Sequence, residues 1–121
     1  MFTVEQQKDN RLVLANLLEN NITDDEYDHH VFMKDDLSKG CALGHAAKFG
    51  IGGMYLEDGD IPMHKGVPNF PNFAFADGSY TFVSSTMKAA EIVFGNNTYF
   101  SLFADNLDYD RSTVVQSLRA F

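Results

Sequence analysis

The stretch Lys39-Gly40-Cys41-Ala42-Leu43-Gly44-His45-Ala46-Ala47-Lys48 holds the only cysteine of the chain, sets a histidine four residues beyond it, and surrounds both with small side chains. Side chains of this size make a thin helix that neighbouring elements can approach almost to backbone contact. The glycines at 50, 52 and 53 end it, since glycine readily takes the left-handed conformation that closes a helix. A helix over Cys41–Phe49 is therefore the element around which the rest of the fold is expected to assemble.

Other helices follow on both sides. Thr3-x-x-Gln6 is a capping box, in which a hydroxyl and an amide each satisfy a backbone donor at a helix start. Leu14, Leu17 and Leu18, with Val4, Arg11 and Ala15 alongside, continue at helical spacing, so a helix is predicted over 4–20. Tyr27–Met33 reads as a short extended segment, and Asp35-Asp36-Leu37-Ser38 as a helix entrance. Ser84 or Ser85 should cap a helix running to Phe94, stopped by Gly95-Asn96, and Tyr99–Phe103 is a further short helix. Thr113-x-x-Gln116 is a second capping box, opening a helix with Val114, Val115, Leu118 and Phe121 on its apolar face.

Between these lies residues 50–79, with all three prolines and the pair Pro68-Asn69-Phe70-Pro71-Asn72-Phe73. So long a stretch without structure is unusual in a compact domain, so it is either functional or contains short strands. Phe73–Phe75 and Tyr80–Val83 around Asp77-Gly78 form the expected hairpin. The predicted fold class is mainly α: a compact bundle of four to five short helices, a long irregular central loop and one small β-hairpin. At 121 residues, the whole of 1–121 is read as a single domain, and its eleven phenylalanines point to a Phe-rich core.

Seventeen acidic against nine basic residues leave a net charge of −8. Phosphate backbones and anionic membranes repel such a chain, so neither direct nucleic-acid binding nor membrane binding is expected. The acids fall in clusters: Asp24-Asp25-Glu26 with Asp28, Asp35-Asp36, Glu57-Asp58 with Asp60, and Asp105, Asp108 and Asp110. Solvated loops account for them most simply; a negative face for a basic partner is the sharper reading. The first residues lack a basic n-region and an apolar h-region, and one cysteine allows no internal disulfide. A cytoplasmic location is expected on both counts.

Cys41 and His45 carry the strongest chemical reading. Positions i and i+4 share a helix face, so the imidazole could reach the sulfur, and a first-turn cysteine gains from unpaired N–H groups. Lowered thiol pKa and an adjacent base are what a cysteine nucleophile needs. No third group stands out to orient the ring, and a buried packing cysteine is the plainer expectation. A metal centre would need four convergent ligands; His29, His30 and His64 add no closely spaced pair to Cys41/His45. Asn106-x-Asp108-x-Asp110 fails as a calcium loop because Arg111 and Ser117 stand where glycine and glutamate belong. No metal or cofactor is expected.

Two segments carry a resemblance. Gly40-Cys41-Ala42-Leu43-Gly44-His45-Ala46, and Phe103-Ala104-Asp105-Asn106 followed by Thr113-Val114-Val115-Gln116-Ser117-Leu118, are similar to signatures of a family of small uncharacterised bacterial and phage proteins. That family pairs a Cys-Ala-x-Gly-Ala-type segment with an Asn-Asp loop and a Thr-x-x-x-Val-x-x-x-Leu helix. His45 replaces its small residue, and Asp105-Asn106 reverses its loop order. The resemblance implies a shared fold and a phage context, and carries no activity.

The first functional expectation is accordingly a small acidic interaction protein that binds a host protein, with Phe70, Phe73, Asp58 and Asp60 of the central loop as interface. The alternatives are a cysteine-dependent enzyme using Cys41 and His45, and a small-ligand or nucleotide binder with 50–79 as lid.

Overall fold

Thr3 starts the first helix as its sequence predicts: its hydroxyl accepts from the Gln6 N–H, and the Gln6 side chain accepts from the Thr3 N–H, at 3.1 and 2.8 Å. Helix α1 then runs Val4–Asn20, turning Leu14, Ala15 and Leu18 into the core. This computed structural model describes residues 2–34, 36–56, 63–64, 67–68, 73–75, 86–104 and 106–121. Among the described residues the other α-helices are α2 (Ala42–Lys48), α3 (Thr86–Phe94) and α4 (Arg111–Ala120), with a π-helical turn at Tyr99–Phe103 and short 3-10 turns at Asp24–Glu26 and Ile51–Gly53. The protein is mainly helical, and its core lies where α1 packs on α4, α3 and α2.

Ala and Leu dominate the described core, with Val and Ile next. Phe94 and Phe103 are buried with ring centroids 5.3 Å apart, whereas Phe49, Phe100 and Phe121 are exposed. Phe2 and Phe32 are partly buried against this core. Phe121 sits under the Arg11 guanidinium, 5.0 Å from its ring centroid, rather than in the core. Burying one large apolar side chain such as Leu14 or Phe94 stabilises the fold by roughly 1.5–3 kcal/mol.

Polar side chains join helix to helix. Gln7, Asn10 and Arg11, all on one side of α1, donate to the carbonyls of Glu91, Ile92, Val93 and Phe94, the last turn of α3. Arg111 does the same for α1, reaching the Leu18 carbonyl at 2.8 Å and pairing with Asp24 at 2.9 Å. Thr98 is fully buried because its hydroxyl donates to the Gly95 carbonyl, with the Ala90 carbonyl also in reach. The Ala104 N–H reaches back five residues to the Tyr99 carbonyl, which closes the π-helical turn.

Several local expectations need correction. The second capping box does not form. Asp110 is the N-cap of α4, accepting from the Thr113 N–H and hydroxyl, because the helix starts two residues earlier than Thr113. Asp36 and Ser38 bond each other in a tight loop instead of opening a helix; Leu37 between them has a left-handed φ of 63° that no helix can continue. The 27–33 segment is not a strand: only Tyr27 and Met33 pair, each bridging Gly40. Strand β4 (Phe73–Phe75) pairs antiparallel with β1 (Met54–Leu56), Leu56 opposite Phe73, and within that span β2 (Met63–His64) pairs with β3 (Val67–Pro68). The expected hairpin partner 80–83 and the caps Ser84 and Ser85 lie outside the described residues.

Candidate functional site: the Cys41–His45 helix and the acidic turn over it

Cys41 is the N-cap of α2 rather than a residue of its first turn. Its N–H donates to the carbonyls of Val31 (2.7 Å) and Phe32 (3.1 Å), so the 31–32 backbone lies across the helix start. Gly40, one residue back, is held on both sides: its N–H bonds the Glu26 carbonyl and its carbonyl accepts from Asp28. The absence of a side chain at Gly40 and Gly44 makes this possible. A Cβ on Gly40 or Gly44 would run into the Phe32 carbonyl.

Both members of the expected pair are buried, Cys41 at 7% and His45 at 0% exposure. They do not act on each other. His45 Nε2 donates to the Glu26 carbonyl at 2.8 Å; a carbonyl only accepts, so the proton is on Nε2. Nδ1 is left with no partner. Burial pushes the Cys41 thiol up to about 11, against the opposing pull of the Gly44 and Leu43 N–H groups. Burial likewise holds the His45 imidazole below its ordinary value, with the Glu26 carbonyl acting the other way. A nucleophile needs a lowered thiol pKa and a bonded base; this helix offers neither.

Sequence reasoning passed over a second buried cluster beside the first. The Tyr27 hydroxyl donates to His29 Nδ1 at 2.7 Å, and His29 Nε2 donates to the Ala104 carbonyl at 2.9 Å. The Tyr109 ring lies 5.5 Å from the His29 ring. Burial, and then the nearby Cys41, Asp28 and Asp110, raise the Tyr27 phenol well above its usual range, so it stays a neutral donor. Adjacent His29-His30 was the available signal; the two sit in a turn closed by the Val31 N–H on the Asp28 carbonyl, with His29 buried and His30 exposed. His30 is the outward one and meets Asp108 at 3.3 Å.

These links bring two acidic segments together. Asp24, Asp25, Glu26 and Asp28 on one side, and Asp108 and Asp110 on the other, are joined through Asp24–Arg111 and His30–Asp108. Of the four residues expected at an interface, Phe70, Asp58 and Asp60 lie outside the described residues, and Phe73 is the β4 residue opposite Leu56. Among the described residues no group of three or more His, Cys, Asp or Glu side chains is placed to hold a metal ion, and no helix is long and apolar enough to cross a membrane.

Comparison with protein-family models, with curated proteins and with solved structures finds no match to this chain.

Proposed function

We propose that this protein acts by binding another protein, and that the acidic surface formed by residues 24–28 together with Asp108 and Asp110 meets a basic patch on that partner. The observation that carries this reading is the meeting of acidic segments some eighty residues apart in sequence, joined by Arg111 on Asp24 and by His30 on Asp108. Asp25 and Asp108 remain exposed there, and the chain as a whole carries −8. Surface charge of this kind speeds encounter and selects partners more than it adds affinity. The resemblance to bacterial and phage proteins favours a host-cell protein in the cytoplasm as that partner. The burial of Cys41 and the bond that His45 makes elsewhere weigh against a cysteine enzyme.

Capture of a partner from host lysate at graded salt tests the reading. Binding through this surface weakens as salt rises and is lost in the D25K/D108K variant. Capture that ignores both salt and these charges, but fails in F70A/F73A, would move the interface to the central loop. Capture indifferent to all of these changes would sink both interface assignments.

A further inference from the structure

The acidic segment is held to the helical body by a buried imidazole whose second nitrogen is empty-handed. His45 Nε2 and the Gly40 N–H share the Glu26 carbonyl, at 2.8 and 3.1 Å. Farther along the same segment, the Val31 and Phe32 carbonyls take the Cys41 N–H. The backbone from Glu26 to Phe32 therefore lies across the start of α2, with Tyr27 and Asp28 close to Cys41, and His45 ties this segment to the helix. We propose that His45 is a proton-operated latch: its protonation releases residues 23–34 from α2 and uncovers Cys41, while α1, α3 and α4 remain folded.

The chemistry lies at Nδ1. A second proton there leaves the Nε2 donor intact but places a charged N–H in a fully buried position where the neutral ring has no partner. Such a group is stabilised by reaching water; in the buried position only the Glu26 and Gly40 carbonyls and the Glu26 charge favour it, and burial outweighs them. The charged groups that act on it are Glu26 of the overlying turn and Lys48 of α2 itself, and they oppose each other. The neighbouring ionisable groups are the Cys41 thiol and Tyr27 phenol, both held neutral, with Asp28 acting on each. The main other elements against α2 are α1, which buries Leu14, Ala15 and Leu18, and β1, which buries Met54. The α1–α3–α4 body is fastened separately, by Gln7, Asn10 and Arg11 on α3 and by Arg119 on Glu19 and Asn16. This latch does not depend on the binding reading.

In the open form His45 titrates at its ordinary value of 6.5, so protonation multiplies the open population by about 11 at pH 5.5 and about 1.1 at pH 7.5. The test is protection of Cys41 against 4,4′-dithiodipyridine, a reagent active in acid, measured at each pH relative to the protein in denaturant. Protection should fall about tenfold from pH 7.5 to 5.5 while hydrogen exchange of α1 amides stays unchanged. In H45Q, which keeps a donor for Glu26, protection should be flat. Equal protection of the wild type at both pH values overturns the proposal, as does loss of α1 protection in step with Cys41. A pH dependence kept by H45Q overturns it too. Should H45Q not fold, the His45 titration in the wild type, followed by NMR, decides: a midpoint below 6.5 supports the latch, and one at or above 6.5 refutes it.

Discussion

The backbone carbonyl of Phe32 occupies the space into which a Cβ on Gly44 would project. Two effects compete at this position. Helix propensity alone makes Gly44→Ala stabilising by about 1 kcal/mol. The steric collision opposes it, because the obstacle is backbone rather than the end of a flexible side chain, and overpacking of that kind costs about 1–3 kcal/mol or more. We expect the collision to win, leaving G44A destabilised by about 2 kcal/mol in urea unfolding. Gly40→Ala should behave likewise, since it meets Phe32 and Met33 backbone atoms together. A G44A protein more stable than wild type would show that α2 does not lie this close to residue 32.

The Asn10 side chain reaches the carbonyl of Val93, 2.9 Å away at a fully buried residue. Truncation to alanine strands that carbonyl at the end of α3, where no backbone donor of the helix itself is available. N10A should therefore cost about 1–2 kcal/mol. Asn16, whose side chain bonds only the exposed Arg119, serves as the control, and N16A should cost under about 0.5 kcal/mol. Equal midpoints for the two variants would remove Asn10 from the cap of α3.

That contrast marks what a sequence can disclose. Helix α1 was legible because both parts of its start lie within four residues: Thr3, Gln6 and the leucine spacing are local. The thin helix at 42–48 and its stop at Gly50 were legible for the same reason. Arg11, however, lies alongside the apolar stripe, and nothing local announces its role, since its partner, the Phe94 carbonyl, is 83 residues away. Asp36-Leu37-Ser38 misled because an acid bonded to the N–H two residues on looks alike in a loop and at a helix start; only the backbone angle of Leu37 separates them. At the candidate site, the i, i+4 spacing of Cys41 and His45 suggests a shared helix face, but Cys41 is the N-cap, outside the helix proper. What could not be read was the turn above them, whose Glu26 carbonyl claims the imidazole.

The Cys41 thiol, raised to about 11 from 9.0, should be nearly inert in the closed protein. At pH 8 its thiolate fraction is about 100-fold below that of the ordinary thiol. Iodoacetamide should thus label native protein at least about 100-fold more slowly than protein in denaturant, and not measurably at pH 6. Mass spectrometry of timed aliquots reads both rates. Rapid labelling at pH 6 would instead indicate a stabilised thiolate and return the cysteine-enzyme reading to first place.

Stability should fall with acid in two separate windows. His45 is depressed when folded, so below pH 6.5 the unfolded chain binds the proton that the folded chain refuses, and stability declines as pH drops from there. One proton limits that slope to about 1.4 kcal/mol per pH unit. Glu19, Glu26, Asp36 and Asp110 are lowered by their hydrogen bonds to Arg119, Thr23, Ser38 and Thr113 respectively. Their contribution is whole above the unfolded carboxylate values and is lost as pH falls through the folded ones, below about pH 4. Urea midpoints taken from pH 8 to pH 3 should therefore show a shallow limb beginning near 6.5 and a steeper one at the acid end. H45Q should erase only the first, and D110A should lower the plateau while reducing the second. A wild-type profile flat down to pH 4.5 would mean that His45 takes up its proton without leaving the fold, against the burial of its ring.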